Sequence, residues 1–399
     1  MKKDFFKGLV TGLVAAFAVM SVVIGIGKYT DNKEETLIDS NFEAELDSIV
    51  TCLDTFYLDY DKLEKEKLQT GMFKGLMEAI DDDYSMYYTK EEYEDFKEDN
   101  TGKYSGIGAY VSQNLETGLI VIVNPFEGGP AHTAGIKPGD IISAVDDVSV
   151  SGMNLNDVVA LMKGEPETIV KVSVVRDGEV LDFDVTRNFV DVPTVSHNII
   201  EDGKIGYIYI SSFDQITLTQ FREALDDIES KGAKGLILDV RDNGGGRLDT
   251  VLEMLDRILP ECMLMYTETR DGSDSKYYST DEESCALPMV VLINGYSASA
   301  SEVFAGALKD HKAATVIGTK SFGKGIVQSI YTLNGFDEGP AVKFTTSRYY
   351  TPNGINIHGT GIEPDITIEY DRESLRQEDG FAYDNQIEKA VEELNKKIK

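Results

Sequence analysis

GLILDVRDNGGG, residues 235–246, decides the reading of this chain. Residues 235–240 are a continuous apolar run broken only by Asp239, as in a strand buried on both faces of a sheet. After Arg241-Asp242-Asn243 come three glycines, and glycine lets backbone amides come close to a ligand. Working outward, 204–210 reads as a strand. Residues 220–229 read as a helix with Phe221, Leu225 and Ile228 inward. Downstream, 251–258 is helical, 289–293 is a strand and 301–308 is a helix, while Ile387, Val391, Leu394 and Ile398 mark one more amphipathic helix. Strands alternating with helices predict a mixed α/β sheet covered by helices.

A chain of 399 residues exceeds one hydrophobic core, so a multidomain α/β protein is expected. A net charge of -32 argues against nucleic acid as a partner. Residues 8–27 carry no charge, follow Lys2, Lys3 and Lys7, and could span about 30 Å of hydrocarbon as a helix. The basic flank stays inside, which predicts a single-pass anchor over 1–27 in the cell membrane and an extracytoplasmic remainder. The alternative is secretion after cleavage near Ala16-Phe17-Ala18. Cys52, Cys262 and Cys285 fit neither a disulfide scaffold nor a zinc site, and Cys262 and Cys285 either pair or stay free. No metal or organic cofactor is expected.

Residues 28–100 form a helical region, with Phe42, Leu46, Ile49, Leu53 and Phe56 at helical spacing and a second such set from Leu63 to Ile80. Either it packs on the main body or, with the C-terminal helix, it joins two copies as a homodimer. Residues 102–188 read as a compact β-rich unit. Val170, Val172 and Val174 alternate as a strand, and Asp177-Gly178 turns into the next. With GIGA at 106–109 and PAHTAGIKPGDIISAVDD at 130–147, this unit resembles a PDZ domain. That resemblance makes Gly106, Ile107, Gly108 and Ala109 a carboxylate-binding loop, and Ile107, Val158 and Leu161 an apolar pocket for the last side chain of a peptide added as a strand. Arg176, at a strand end, either reports peptide binding to the next domain or is an ordinary surface arginine.

The remaining segment, 190–399, carries the chemistry. The glycines at 244–246 match neither G-x-x-x-x-G-K-[ST] nor G-x-G-x-x-G, so amides facing a tetrahedral oxyanion fit better than a nucleotide. VVLINGYSASASEVFAGALKD (290–310) and GTKSFGKGIVQ (318–328) hold serines and a lysine between glycines. Only four histidines occur and no G-x-S-x-G elbow, so Lys324 is the candidate base. Ser299-x-x-Glu302 is also a capping box, which would make Ser299 a helix cap. Ser321-x-x-Lys324 spells S-x-x-K, but that pair needs a helical turn, and Gly323 and Gly325 oppose one.

LILDVRDNGGG, VLINGYSASASEVFAGALKD, IGTKSFGKGIVQ and TPNGINIHGTGIEPDI, in this order, resemble the carboxyl-terminal processing proteases, serine–lysine peptidases with a PDZ domain before the catalytic core. The resemblance implies Ser299 as nucleophile, Lys324 as general base and Gln328 as the residue orienting it. It further implies an oxyanion hole from the amides of Gly245 and Ala300, with Asp239, Arg241 and Glu302 supporting the site. The function implied is a serine-type endopeptidase that cleaves proteins with apolar C-termini. A lysine base must be neutral, so its ammonium has to be disfavoured by roughly 4 kcal/mol, and Phe322 and Ile326 are expected to enclose it. An inactive PDZ adaptor and a cell-wall acyl transferase are the other readings. Intact Ser299 and Lys324 oppose the first, and the missing K-T-G opposes the second.

Overall fold

A computed structural model describes residues 37–280, 284–333, 339–378 and 380–398. The chain divides into two compact units, one of Met1–Glu94 with Gln328–Thr346 and one of Asp95–Val327 with Ser347–Lys399. The expected anchor over 1–27 lies outside the described residues, among which no helix is long and apolar enough to cross a membrane.

In the first unit, Asp39 caps the Ser40–Phe56 helix by accepting from the amides of Asn41 (3.0 Å) and Phe42 (2.8 Å). That helix buries none of its residues, and the Lys65–Glu78 helix buries only Met77. The Met86–Tyr88 strand pairs antiparallel with Ala341, Val342 and Lys343. Residues 328–346 therefore group with the N-terminal helices in this unit.

The second unit contains the expected PDZ fold. Its antiparallel strands run in the order Ala109–Gln113, Ile120–Pro125, Ile141–Val145, Ile169–Arg176, Glu179–Thr186. Ile107, Ile122, Val158, Val172 and Val185 fill its core. The Lys103–Gly106 strand pairs with Asn188–Asp191 and closes the domain at its ends.

The rest of the unit is a six-stranded sheet ordered Val195–Ile200, Ile205–Ile210, Gly235–Asp239, Met289–Ile293, Ala314–Gly318, Ile366–Thr367. The first pair is antiparallel and the others are parallel. Leu236, Leu238, Val291 and Ile293 face the helices Thr217–Ser230, Leu248–Ile258 and Ala300–Asp310. Ile237, Val290 and Leu292 face Ile387, Ala390 and Leu394 of the Asn385–Lys397 helix. The unbroken apolar run in each central strand follows from this double covering. All three cysteines are free thiols.

Candidate active site

The segments singled out from sequence leave the carboxyl ends of three neighbouring parallel strands, where open α/β sheets hold their ligands. Residues 240–246 follow the Gly235–Asp239 strand, 294–299 follow Met289–Ile293, and 319–325 follow Ala314–Gly318. The loops are stitched together. The Ala298 amide donates to the Asn243 carbonyl (3.0 Å), and the Phe322 amide donates to that of Ser297 (3.0 Å).

Of the serines in SASAS, two are spent on structure. Ser297 Oγ donates to the Val240 carbonyl (2.7 Å) and Ser301 Oγ to the Asn243 carbonyl (2.8 Å), both fully buried. Ser299 stands between them at φ +56° and ψ −114°, a strained conformation for a residue with a Cβ. It stands in a capping box with Glu302. The Ser299 amide donates to Glu302 Oε2 (2.9 Å), and the Glu302 amide donates to the Ser299 carbonyl (2.8 Å). Ser321, the decoy beside Lys324, is buried, donates to Glu302 Oε1 (2.6 Å) and accepts from the Ile362 amide (2.6 Å).

Glu302 is the hub. Its carboxylate is fully buried and also accepts from the amides of Gly323 (2.7 Å) and Lys324 (2.8 Å). One side chain thus ties the Ser299 turn to the Lys324 loop. Lys324 is half-buried. Ile326 is buried as expected, while Phe322 is 57% exposed. The left-handed residue of this loop is Gly323, at φ +96°. Gln328 Nε2 donates to Thr345 Oγ1 (3.1 Å) across paired strands of the first unit.

The two amides expected to form an oxyanion hole differ. Ala300, the first residue of its helix, has no acceptor for its N–H among the described residues, as a helix start leaves it. The Gly245 N–H instead donates to Asn243 Oδ1 (2.8 Å), so in this conformation it is not an open donor. Position 245 must nonetheless be glycine. With φ at +109°, a Cβ there would lie 2.8 Å from the Ala298 carbonyl oxygen and 2.9 Å from Ser299 Cβ.

Asp239 and Arg241 form a buried ion pair (2.6 Å). Tyr207 donates to Asp239 (2.7 Å), and Arg241 Nη1 reaches Asp384 (2.8 Å) and Gln386 (2.7 Å) at the start of the C-terminal helix. Burial works against the Arg241 charge, but Asp239 and Asp384 hold it protonated beyond the usual arginine range. Burial, with Asp239 beside it, drives the Tyr207 phenol far up. Asn243, Tyr207, Asp384 and Gln386 were not evident from sequence, because their partners are set by the fold and not by spacing. The same holds for Tyr349, a buried tyrosine whose hydroxyl donates to the Ser299 carbonyl (3.2 Å).

In the PDZ domain, Gly108 sits at φ +70° and Ile107 and Val158 are buried, with Leu161 packed against the same cluster. Arg176 is engaged inside its own domain. It pairs with buried Asp140 (2.6 Å), donates to the Gly135 carbonyl (2.9 Å) and lies over the Phe183 ring, all within the PDZ domain. Asp140 immediately precedes the neighbouring Ile141–Val145 strand, so the ion pair joins two adjacent strands of the domain.

A PDZ domain joined to a sheet whose strand ends converge on one serine turn and one lysine loop defines a PDZ-containing peptidase. Residues 204–368 match peptidase family S41 and residues 121–176 match a PDZ domain. The chain is 36% identical over 369 residues to the carboxy-terminal processing protease CtpA of Bacillus subtilis, covering 92% of this chain and 77% of that one. It is 37% identical over 318 residues to a carboxy-terminal-processing protease of Bartonella bacilliformis, covering 77% and 70% respectively. A solved photosystem II D1 C-terminal processing protease shares 27% identity, with 81% and 86% of the chains covered and a TM-score of 0.48. The chain belongs to the carboxy-terminal processing proteases of peptidase family S41, and is a serine-type peptidase.

Proposed function

We propose that Ser299 is the nucleophile and Lys324 the general base of an endopeptidase that acts outside the cytoplasm on proteins recognised by an apolar C-terminal tail. The observation that carries this reading is the convergence of the Ser299 and Lys324 amides on one buried carboxylate, Glu302, at 2.9 and 2.8 Å. Neutral Lys324 takes the Ser299 proton as Oγ attacks the scissile carbonyl, then gives it to the leaving amine. Gln328 orients the lysine. The Ala300 N–H receives the developing oxyanion, and the Gly245 N–H joins it on exchanging Asn243 for that oxygen. The PDZ loop at Gly106, Ile107, Gly108 and Ala109 holds the tail carboxylate, and Val158 and Leu161 border the apolar last residue.

The export-type basic and apolar start of the sequence supports a membrane anchor with the peptidase outside. A homodimer through the N-terminal helices is supported by Phe42, Ile49, Val50 and Phe56, which leave the Ser40–Phe56 helix exposed and apolar. The C-terminal helix contributes less, since Ile387, Ala390 and Leu394 are spent on the sheet.

The test uses the full chain with an unfolded protein ending in apolar residues, and the same protein with a charged last residue. Wild type should cleave the first faster, while Ser299→Ala and Lys324→Ala should lose activity by at least about a thousandfold. Full activity in Lys324→Ala would refute the base. Equal cleavage of both substrates would refute recognition of an apolar tail.

A further inference from the structure

We propose that Tyr349 is a positioning residue for catalysis, fixing through its hydroxyl the peptide group that presents the oxyanion-binding amide. This rests on the reading of Ser299 as nucleophile. The Ser299 carbonyl oxygen accepts from the amides of Glu302 (2.8 Å) and Val303 (3.0 Å) of its own helix and from Tyr349 Oη (3.2 Å). Tyr349 is the one donor to it from outside that helix among the described residues. The carbonyl of Ser299 and the N–H of Ala300 belong to one planar peptide group, so a bond that fixes the first also aims the second. That second group is the amide without an acceptor among the described residues.

The arrangement has a reason to need help. At φ +56° and ψ −114° the Ser299 backbone is strained, and such a conformation persists only where the surroundings over-determine it. Tyr349 also donates its own amide to the Gly325 carbonyl (3.1 Å), next to Lys324. One rigid strand residue therefore touches the backbone of both the nucleophile turn and the base loop. The ring is 2% exposed and packs in the same core as Phe304 and Ile357, so it can meet no substrate. Burial first, and the Glu302 charge second, push its phenol well above the ordinary tyrosine range, which keeps it a proton donor at every working pH.

The decisive variant is Tyr349→Phe in the full chain, which keeps the ring and removes only the hydroxyl. It should lower kcat by roughly tenfold with KM unchanged. It should slow labelling of Ser299 by an alkyl fluorophosphonate to the same extent, since that reagent also develops negative charge on oxygen at the site. Ile228→Val, far from the site in the same core, serves as the control for lost stability. Wild-type labelling and kcat in Tyr349→Phe would overturn the proposal. So would an equal slowing in Ile228→Val at a matched loss of Tm. Labelling that survives in Ser299→Ala would instead refute the nucleophile, and that outcome is separable from the Tyr349 comparison.

Discussion

Glu302 and Lys324 are joined through the lysine's backbone amide, which donates to Glu302 Oε2 at 2.8 Å. The same oxygen accepts from Ser299 (2.9 Å), while Oε1 accepts from Ser321 and Gly323. Four donors converge on one buried carboxylate, so an amide cannot replace it. The –NH2 of Glu302→Gln would face two donors, leaving buried groups unpaired at about 1–3 kcal/mol each. Glu302→Gln should lose at least about a hundredfold in kcat and also lower Tm; turnover assays and thermal melts measure the two together.

Gly245 predicts a sharper loss. Gly245→Ala would place a methyl 2.8 Å from the Ala298 carbonyl oxygen and 3.1 Å from the Ala300 amide nitrogen, at a φ of +109° that alanine resists. Both the serine turn and the Ala300 amide would have to move. We expect kcat to fall below about one-thousandth of wild type while the PDZ domain still binds a C-terminal peptide, which titration calorimetry can follow.

Much of this was legible before any coordinates. The apolar run at 235–240 announced a strand covered on both sides, and the sheet places Ile237 and Leu238 on opposite cores. The PDZ repeat of strands and turns was legible because alternation and glycine turns are local signals. The grouping of residues 328–346 with the N-terminal helices was not, since strand pairing between positions 86 and 343 leaves no trace in spacing. The choice among Ser297, Ser299 and Ser301 could not be made from the alternation itself. It becomes plain only when Ser297 and Ser301 are seen spending their hydroxyls on the carbonyls of Val240 and Asn243. The capture of the Gly245 amide by Asn243 was hidden for the same reason, because a side chain competes there with the expected ligand.

The C-terminal helix should prove part of the active-site scaffold. Asp384 caps it, accepting from the amides of Gln386 (2.8 Å) and Ile387 (2.9 Å), and its other oxygen takes Arg241. Arg241 in turn grips Asp239 at the strand end that opens into the glycine loop. Asp384→Asn can keep the cap but deprives a largely buried guanidinium of one of its two anions, at a cost of roughly 1.5–3 kcal/mol. Chemical denaturation should show that loss, with kcat falling further than KM rises if, as proposed, the loop it steadies carries an oxyanion donor.

Arg176 and Asp140 make the PDZ domain's stability depend on pH in a defined direction. Asp140 is almost wholly buried, and burial alone would raise its carboxyl. The hydrogen bonds from Arg176 and the Lys137 amide outweigh that and hold it below the usual carboxylate value. A carboxyl depressed in the folded state contributes stability that is present above its unfolded value of about 4 and is lost as pH falls through the folded one. Arg176→Ala should therefore destabilise the domain by about 3–5 kcal/mol at neutral pH, where a buried charge loses its partner. The gap from wild type should narrow as pH drops below about 4 and Asp140 protonates in both proteins. Thermal melts across pH 7 to 3 would measure it, and a gap that stayed constant or widened toward acid would mean that Arg176 acts through packing on Phe183 and not through its charge.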